Sequence, residues 1–265
     1  MRLHNYYFFP NYAKTKVIFV SMNATASYRF TIVVPLYDER ENLPRLEERL
    51  AAYLAHSAAQ PACVLLVDDG STDGGSALIE AICARQAGFF FLRLQRNSGL
   101  SAALKAGFEA CESPLVGYID ADLQTDPDDF DRLLPYASEY ELVTGIRTER
   151  KDGFVKRVSS KIANGWRRMM TGDGVADTGC PLKVFQTDFV KRLPLFSGMH
   201  RFLPALVQMA GGRVRQVPVR HFPRVAGQAK YHLFNRLWKP FIDCFGFRWM
   251  RRRYVDPTVE KSSLQ

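Results

Sequence analysis

Acids are almost missing from the end of this sequence: between Arg201 and Arg253 twelve Lys and Arg face one carboxylate, Asp243. A second acid-poor stretch runs from Arg147 to Arg168, where eight Lys and Arg meet only Glu149 and Asp152. The acids concentrate before residue 142, although the net charge is +9. Such asymmetry reads as a solvated basic face, or as a surface for nucleic acid, anionic lipid or a phosphorylated substrate. Cysteine is sparse and scattered: Cys63, Cys83, Cys111, Cys180 and Cys244 form no CxxC pair and no His-spaced cluster. That excludes a zinc site and points to reduced, buried thiols in the cytoplasm. No run of 18 apolar residues occurs, which excludes a transmembrane helix. The apolar core of the N-terminus, Val17 to Val20, is too short for a secretory signal. Residues 1–27 read as a poorly patterned extension, with Met22 an alternative start. Internal repeats are absent. So is a Gly-rich, Lys-bearing phosphate loop after the first apolar run, which argues against a nucleotidyltransferase.

What is present is the composition of a globular protein, 47% hydrophobic and 24% charged over 265 residues. That length suits one large domain, or one domain plus an appendage. The first 145 residues alternate between strand and helix patterns. "FTIVVP" (30–35), "CVLLVDD" (63–69), "FFFLRL" (89–94), "LVGYID" (115–120) and "ELVTG" (141–145) predict strands. Residues 43–55, 75–87, 99–111 and 127–138 predict helices, with Pro44 in a first turn and Asp126 capping the last. This rhythm predicts an α/β domain with a mainly parallel sheet, whose ligands sit beyond the carboxyl ends of the strands. Three strands end in polar signatures, "PLYDE", "DDGSTD" and "DADLQ", so all three should converge on one edge. After Gly145 come a basic helix at about 154–170, the Gly-rich loop "TGDGVADTGCPLKVF", a helix "RFLPALVQMA" and a strand "RVRQVPV". A closing helix repeats Leu233, Leu237, Phe241, Phe245 and Trp249 about every four residues, with basic residues between.

In "DADLQ", alternate residues of an extended chain share a side, which pairs Asp120 with Asp122. Two hard carboxylates suit Mg2+ or Mn2+. An EF-hand loop is excluded, because Thr125 and Asp131 stand where Gly and Glu are needed. Asp126, Asp128 and Asp129 read as charges favouring a helix N-terminus. "VDDGSTD" reads as a turn at Gly70, with Ser71 or Asp73 as a helix cap, or as a binding loop that sets Asp68 and Asp69 beside "DADLQ". In "VVPLYDERENLPRL", Tyr37 can lie against a base and Glu39 can take a ribose hydroxyl.

Together, "VVPLYDERENL", "VDDGSTD", "NSGLSAALKAGF" and "YIDADLQTDPDDF" resemble the ordered motif set of inverting GT-A glycosyltransferases. The resemblance is greatest to the dolichol-phosphate mannose synthase type and its bacterial polyprenyl-phosphate relatives, and covers about residues 29–231. "DTGCPLKVF" and "RVAGQAKY" resemble that family's acceptor-side aspartate loop and Arg-x-x-Gly-x-x-Lys-Tyr segment. The resemblance implies a Rossmann-like GT-A domain at 28–231 and a basic amphipathic helix and tail at 232–265. It implies that Pro35, Tyr37, Glu39, Asp68 and Asp69 hold the nucleoside. Asp120, Asp122 and Gln124 would hold the Mg2+ or Mn2+ and the diphosphate, with Asp122 catalytic. Arg224 and Lys230 would grip phosphates. Arg157, Ser160 and Lys161 would meet a lipid phosphate, or form a solvated helix.

The implied reaction moves a sugar from a UDP- or GDP-sugar, UDP favoured, to a polyprenyl phosphate. A phosphomonoester, with a second pKa around 6, attacks without a general base. Asp177 is the base if one is used, or else fixes its loop against Arg157 or Lys183. Rival readings are a hydroxyl acceptor on a glycan or lipid core, and a non-catalytic nucleotide-sugar or nucleic-acid module. The favoured reading has no nucleic-acid partner. It places the protein peripherally on the cytoplasmic face of an anionic membrane. Phe241, Phe245, Phe247, Trp249 and Arg248, Arg251, Arg252 and Arg253 would lie in the headgroup zone. Alternatively the last helix closes the sheet as an ordinary surface helix. Lacking a transmembrane segment, the chain is expected to attach peripherally, form homo-oligomers or use a separate membrane protein.

Overall fold

The computed structural model describes residues 24–147, 165–223 and 233–255, with backbone alone for 233–240. The β-branched run Phe30–Leu36 forms β1, and α1 (Leu43–His56) follows it. Next come β2 (Ala62–Asp68), α2 (Gly75–Arg85), β3 (Phe89–Arg93), α3 (Leu100–Ala110) and β4 (Leu115–Tyr118). The strand expected to run through Asp120 stops at Tyr118. The helix expected over 127–138 breaks into a 3-10 turn (Pro127–Asp129), one turn of α4 (Phe130–Leu133) and a second 3-10 turn (Leu134–Tyr136). Pro135 lacks a backbone donor, so a continuous helical ladder is lost there. Asp126 still caps the start, accepting from Asp128 N at 3.2 Å.

Beyond β5 (Leu142–Arg147) and the helical residues 165–171 (α5), the chain forms β6 (Lys183–Gln186) and α6 (Thr187–Arg192). Then follow α7 (Leu203–Met209), β7 (Val214–Val219) and α8 (Leu233–Arg253). The sheet order is β3-β2-β1-β4-β6-β5-β7. Only β6 runs antiparallel to its neighbours, β4 and β5. The end of the Gly-rich loop is therefore a central strand.

Helices cover both faces, as a mainly parallel sheet requires. Phe30, Ile32, Val34 and Leu36 of β1 point into a core with α1, α2 and α4. Val33, between them, points into the other core, with α3, α6, α7 and α8. At Gly107 of α3 a Cβ would lie 2.6 Å from Val33 Cγ1, so only glycine allows that helix to sit so low on the sheet. Helix α8 closes the second core through Cys244 and Phe247. Phe247 is therefore not in a headgroup zone. Its ring is buried and stacks on Phe202 with centroids 5.7 Å apart.

Candidate functional site at the carboxyl edge of the sheet

Strands β2, β1 and β4 are adjacent and parallel, so the loops after them lie side by side. The first two are laced together. Asp38 N donates to Ser71 Oγ at 3.0 Å, and Asp38 accepts from Thr72 N at 2.7 Å. Arg40 N donates to Asp73 Oδ2 at 2.9 Å, while Asp73 Oδ1 accepts from Gly75 N at 2.8 Å. Asp38 holds φ at 49°, a left-handed conformation that costs a non-glycine residue free energy and persists where neighbours enforce it. Pro35 is the sixth residue of β1, and Tyr37 and Glu39 follow on this laced loop. The Asp38 carboxylate beside Tyr37 raises that phenol's pKa, and Glu39 accepts from Asn42 Nδ2 at 2.6 Å.

The paired aspartates of "VDDGSTD" point in different directions. Asp68 is 1% exposed, accepting from Ser71 N at 2.8 Å and Ser76 Oγ at 2.5 Å, with Arg93 Nε at 3.4 Å. These bonds tie the carboxylate to its own turn and to the start of α2. Asp69 accepts from Ser98 N and Gly99 N, both at 2.7 Å, and so fixes the "NSGL" loop against the edge. Burial is the main cause of its raised pKa. Gly70, at φ 73°, lies so close to residue 96 that a Cβ would be 2.6 Å from Arg96 C.

The third loop carries the crowd of carboxylates, and the structure divides them. Asp120 and Asp122 sit on a turn rather than on an extended strand, with Leu123 at φ 52°. Tyr118 donates to Asp120 Oδ1 at 2.7 Å, and Gln124 N donates to Asp122 Oδ1 at 3.2 Å. Burial and the Asp122 charge push Asp120 up to about 6, against the opposing influence of Tyr118, Lys183 and Arg147. Two carboxylates set this close together repel one another, and a hard divalent cation would relieve that repulsion. Among the described residues no three His, Cys, Asp or Glu side chains gather as a metal-binding group. A small hard cation here would therefore draw on few protein oxygens, a donor set that fits Mg2+ or Mn2+ completed by phosphate and water.

The remaining acids are structural. Asp126 pairs with Arg49 at 2.6 Å and Arg220 at 3.3 Å. Asp129 is fully buried and accepts from Arg220 N at 2.7 Å and Nε at 2.9 Å. Asp131 accepts from Tyr53 Oη at 2.8 Å and Ala58 N at 3.1 Å. The chain leaving β7 thus clamps the loop: Phe222 N donates to Gln124 O at 2.9 Å, and His221 Nδ1 lies 3.0 Å from the same oxygen.

Asp177 lies beside this edge and is held by Arg147, while Arg157 falls outside the described residues. Its two oxygens accept from Arg147 Nη2 and Nε, each at 2.8 Å, and Arg147 N adds a bond at 3.2 Å. Lys183 is 1% exposed. Its ammonium donates to the carbonyls of Thr178 and Cys180 and lies 5.8 Å from the Tyr118 ring centroid. The charges of Arg147 and Lys183 act on both Asp177 and Asp120. Sequence reasoning missed Tyr118, Arg147, Arg220 and His221 as site residues. Only the basic residue closing β5 gave a local signal. The expected phosphate-binding residues Arg157, Ser160, Lys161, Arg224 and Lys230 lie outside the described residues.

Glycosyl transferase family 2 matches residues 31–192, which carry all of the loops above up to α6. Dodecaprenyl-phosphate galacturonate synthase of Rhizobium johnstonii is 32% identical over 237 residues, 87% of this chain and 70% of that protein. Undecaprenyl-phosphate 4-deoxy-4-formamido-L-arabinose transferase of Serratia proteamaculans is 33% identical over 210 residues, 78% of this chain and 64% of that one. Among solved structures, glucosyl-3-phosphoglycerate synthase of Mycobacterium tuberculosis, in complex with Mn2+, UDP and glucosyl-3-phosphoglycerate, superposes with a TM-score of 0.61. It is 15% identical, with 89% of this chain and 84% of that one covered. A mannosyltransferase from Pyrobaculum calidifontis in complex with GDP-Man and Mn2+ gives a TM-score of 0.61 at 19% identity, covering 87% and 66%. These two share the GT-A fold with it. On the match that spans the sheet edge and its loops, this chain belongs to glycosyl transferase family 2.

Proposed function

We propose that this protein transfers a sugar, with inversion, from a nucleoside-diphosphate sugar to a polyprenyl phosphate. The observation that carries the reading is the crowded Asp120–Asp122 turn on the same edge as the β1 and β2 loops. The two relatives named for polyprenyl-phosphate sugars support the acceptor. UDP is the favoured nucleoside diphosphate. Pro35, Tyr37, Glu39 and Asp69 line the nucleoside side. Asp120, Asp122 and Gln124 hold a divalent cation, Mn2+ or Mg2+, and face the diphosphate. When bound, that cation neutralises the charge that develops on the leaving diphosphate.

An acceptor phosphate oxygen forms the new bond to the anomeric carbon as the bond to the nucleoside diphosphate breaks and takes its electron pair. No proton has to be removed from a phosphate that is already dianionic. The chain's task is to hold the two phosphates in line without mutual repulsion, which falls to Arg224, Lys230, Arg157, Ser160 and Lys161. With the acceptor embedded in lipid, the protein works peripherally at the cytoplasmic face of an anionic membrane.

Asp177→Asn tests the acceptor assignment. The amide keeps part of the Arg147 contact but cannot act as a base. Turnover with a polyprenyl phosphate should stay within about threefold of wild type, because general-base removal costs ~100-fold or more where a base is used. A loss of that larger size at saturating acceptor, with an unchanged melting temperature, would make Asp177 a base and contradict unaided attack by the phosphate.

Proton competition gives a second expectation. Asp120 must be ionised to bind a cation, and its pKa is pushed up to about 6. Mn2+ affinity, measured calorimetrically with a nucleoside diphosphate present, should be flat above pH 7 and fall by up to about tenfold per pH unit below ~6. The Tyr118 hydroxyl stabilises the ionised form, so Tyr118→Phe should move the fall to higher pH. An affinity independent of pH from 7 to 5 would contradict this.

A further inference from the structure

Helix α8 has two unlike faces. One is buried through Cys244 and Phe247. The other repeats Ile242, Phe245 and Trp249 at three- and four-residue spacing, with Phe245 50% and Trp249 64% exposed. Helix α5 lies alongside and extends this surface. Trp166 stacks on Phe241 with centroids 4.9 Å apart, and Met169 is 66% exposed. Arg251 Nη1 donates to Thr171 O at 2.5 Å and pins α8 to the end of α5. Between the helices runs a groove of about 920 Å3, walled by Trp166, Met170, Phe245 and Trp249 and rimmed by Arg248 and Arg252. The Arg253 guanidinium lies 5.5 Å from the Trp249 ring centroid.

Charge decides what covers this surface. The single acid on α8, Asp243, sits 3.9 Å from Arg201. A second copy would bring the same cationic rim against itself in a two-fold contact, with like charges opposed. A bilayer with anionic headgroups matches both features at once: amphipathic aromatic rings sit at headgroup level and arginines meet lipid phosphates. The face is also one loop from the site, since α5 leads through 172–176 to Asp177.

We propose that the α5–α8 face is a bilayer-docking surface: Met169, Phe245 and Trp249 enter the headgroup layer, and Arg248, Arg252 and Arg253 contact anionic lipid phosphates. For its purpose this rests on the lipid-acceptor reading above.

The test is sedimentation of the full chain with vesicles of phosphatidylcholine, alone or mixed with phosphatidylglycerol. Wild type should bind the mixed vesicles at least tenfold more tightly, and added salt should weaken that binding. Arg248→Gln/Arg252→Gln/Arg253→Gln should lose roughly 100-fold, because each cation near the surface contributes about tenfold or slightly less. Phe245→Ser/Trp249→Ser should lose at least tenfold while melting like wild type. Transfer to a short, water-soluble prenyl phosphate should be unchanged in both variants. Equal binding of wild type to both vesicles overturns the proposal. So does a wild-type dimer that Phe245→Ser/Trp249→Ser converts to monomer, which would assign the face to a second copy. Vesicle binding without transfer from any nucleotide sugar sinks the lipid-acceptor reading and leaves the docking face standing. Transfer without vesicle binding sinks the docking face alone.

Discussion

Asp122→Ala should lower transfer roughly a thousandfold, the effect of removing about 4 kcal/mol of transition-state charge stabilisation. The melting temperature should stay close to wild type. Asp122 is half-buried, and its bond from Gln124 N, at 3.2 Å, is long. Asp120 is a less clean target. Its removal would strand the hydroxyl of buried Tyr118 and mix a folding defect with the chemical one. The loss in Asp122→Ala should appear in kcat at saturating donor, because the charge it helps to neutralise develops on the leaving diphosphate. Turnover within tenfold of wild type at saturating Mn2+ would remove Asp122 from the metal site.

Arg167→Met should be the most damaging single change to the fold outside the sheet. Arg167 and Asp173 are both buried, and the guanidinium bonds to the Asp173 carboxylate and to Val175 O at 2.7 Å. Taking away one member of such a pair leaves an uncompensated charge, at a cost of about 3–5 kcal/mol. For a chain of this size that lowers Tm by on the order of 10 °C. The double variant Arg167→Met/Asp173→Leu should recover at least half of the loss, because the stranded charge is gone. Thermal melts of the three proteins check it. If the single variant loses under ~1 kcal/mol, the pair behaves as a surface ion pair and does not hold the loop. The loop matters because it joins α5 to Asp177, so its loosening should also weaken acceptor binding.

Much of the donor side of the site was legible in local patterns. Apolar runs marked β1, β2 and β4, the first of them β-branched, and the polar signature after each run marked the edge. The sheet order then set those three strands side by side. Division of labour among the acids was legible only in part. Asp126 read correctly as a cap, yet its pairing with Arg49 and Arg220 is carried by residues 77 and 94 positions away. The inward turn of Asp68 has a local signal. An aspartate followed at +3 by a turn N–H reads as a local side-chain bond before it reads as a ligand.

Strand β6 was hidden because its four residues begin with Lys183, and a buried lysine contradicts the apolar pattern of a central strand. The carbonyls of Thr178 and Cys180, the Tyr118 ring and the charges of Asp177 and Asp120 make that burial tolerable, and none of these contacts is readable from spacing. On α8, repetition every four residues found an apolar stripe, yet the buried stripe runs through Cys244 and Phe247. The periodic aromatics are the outer face.

The most direct test of the account is a panel of nucleotide sugars offered to the wild-type protein with a short polyprenyl phosphate, with Mn2+, with Mg2+ and with a chelator. Product is followed by mass spectrometry. The account predicts one phosphate-linked polyprenyl sugar, formed from a UDP-sugar in preference to its GDP counterpart and lost in the chelator. Formation of no such product from any donor with either metal would contradict it.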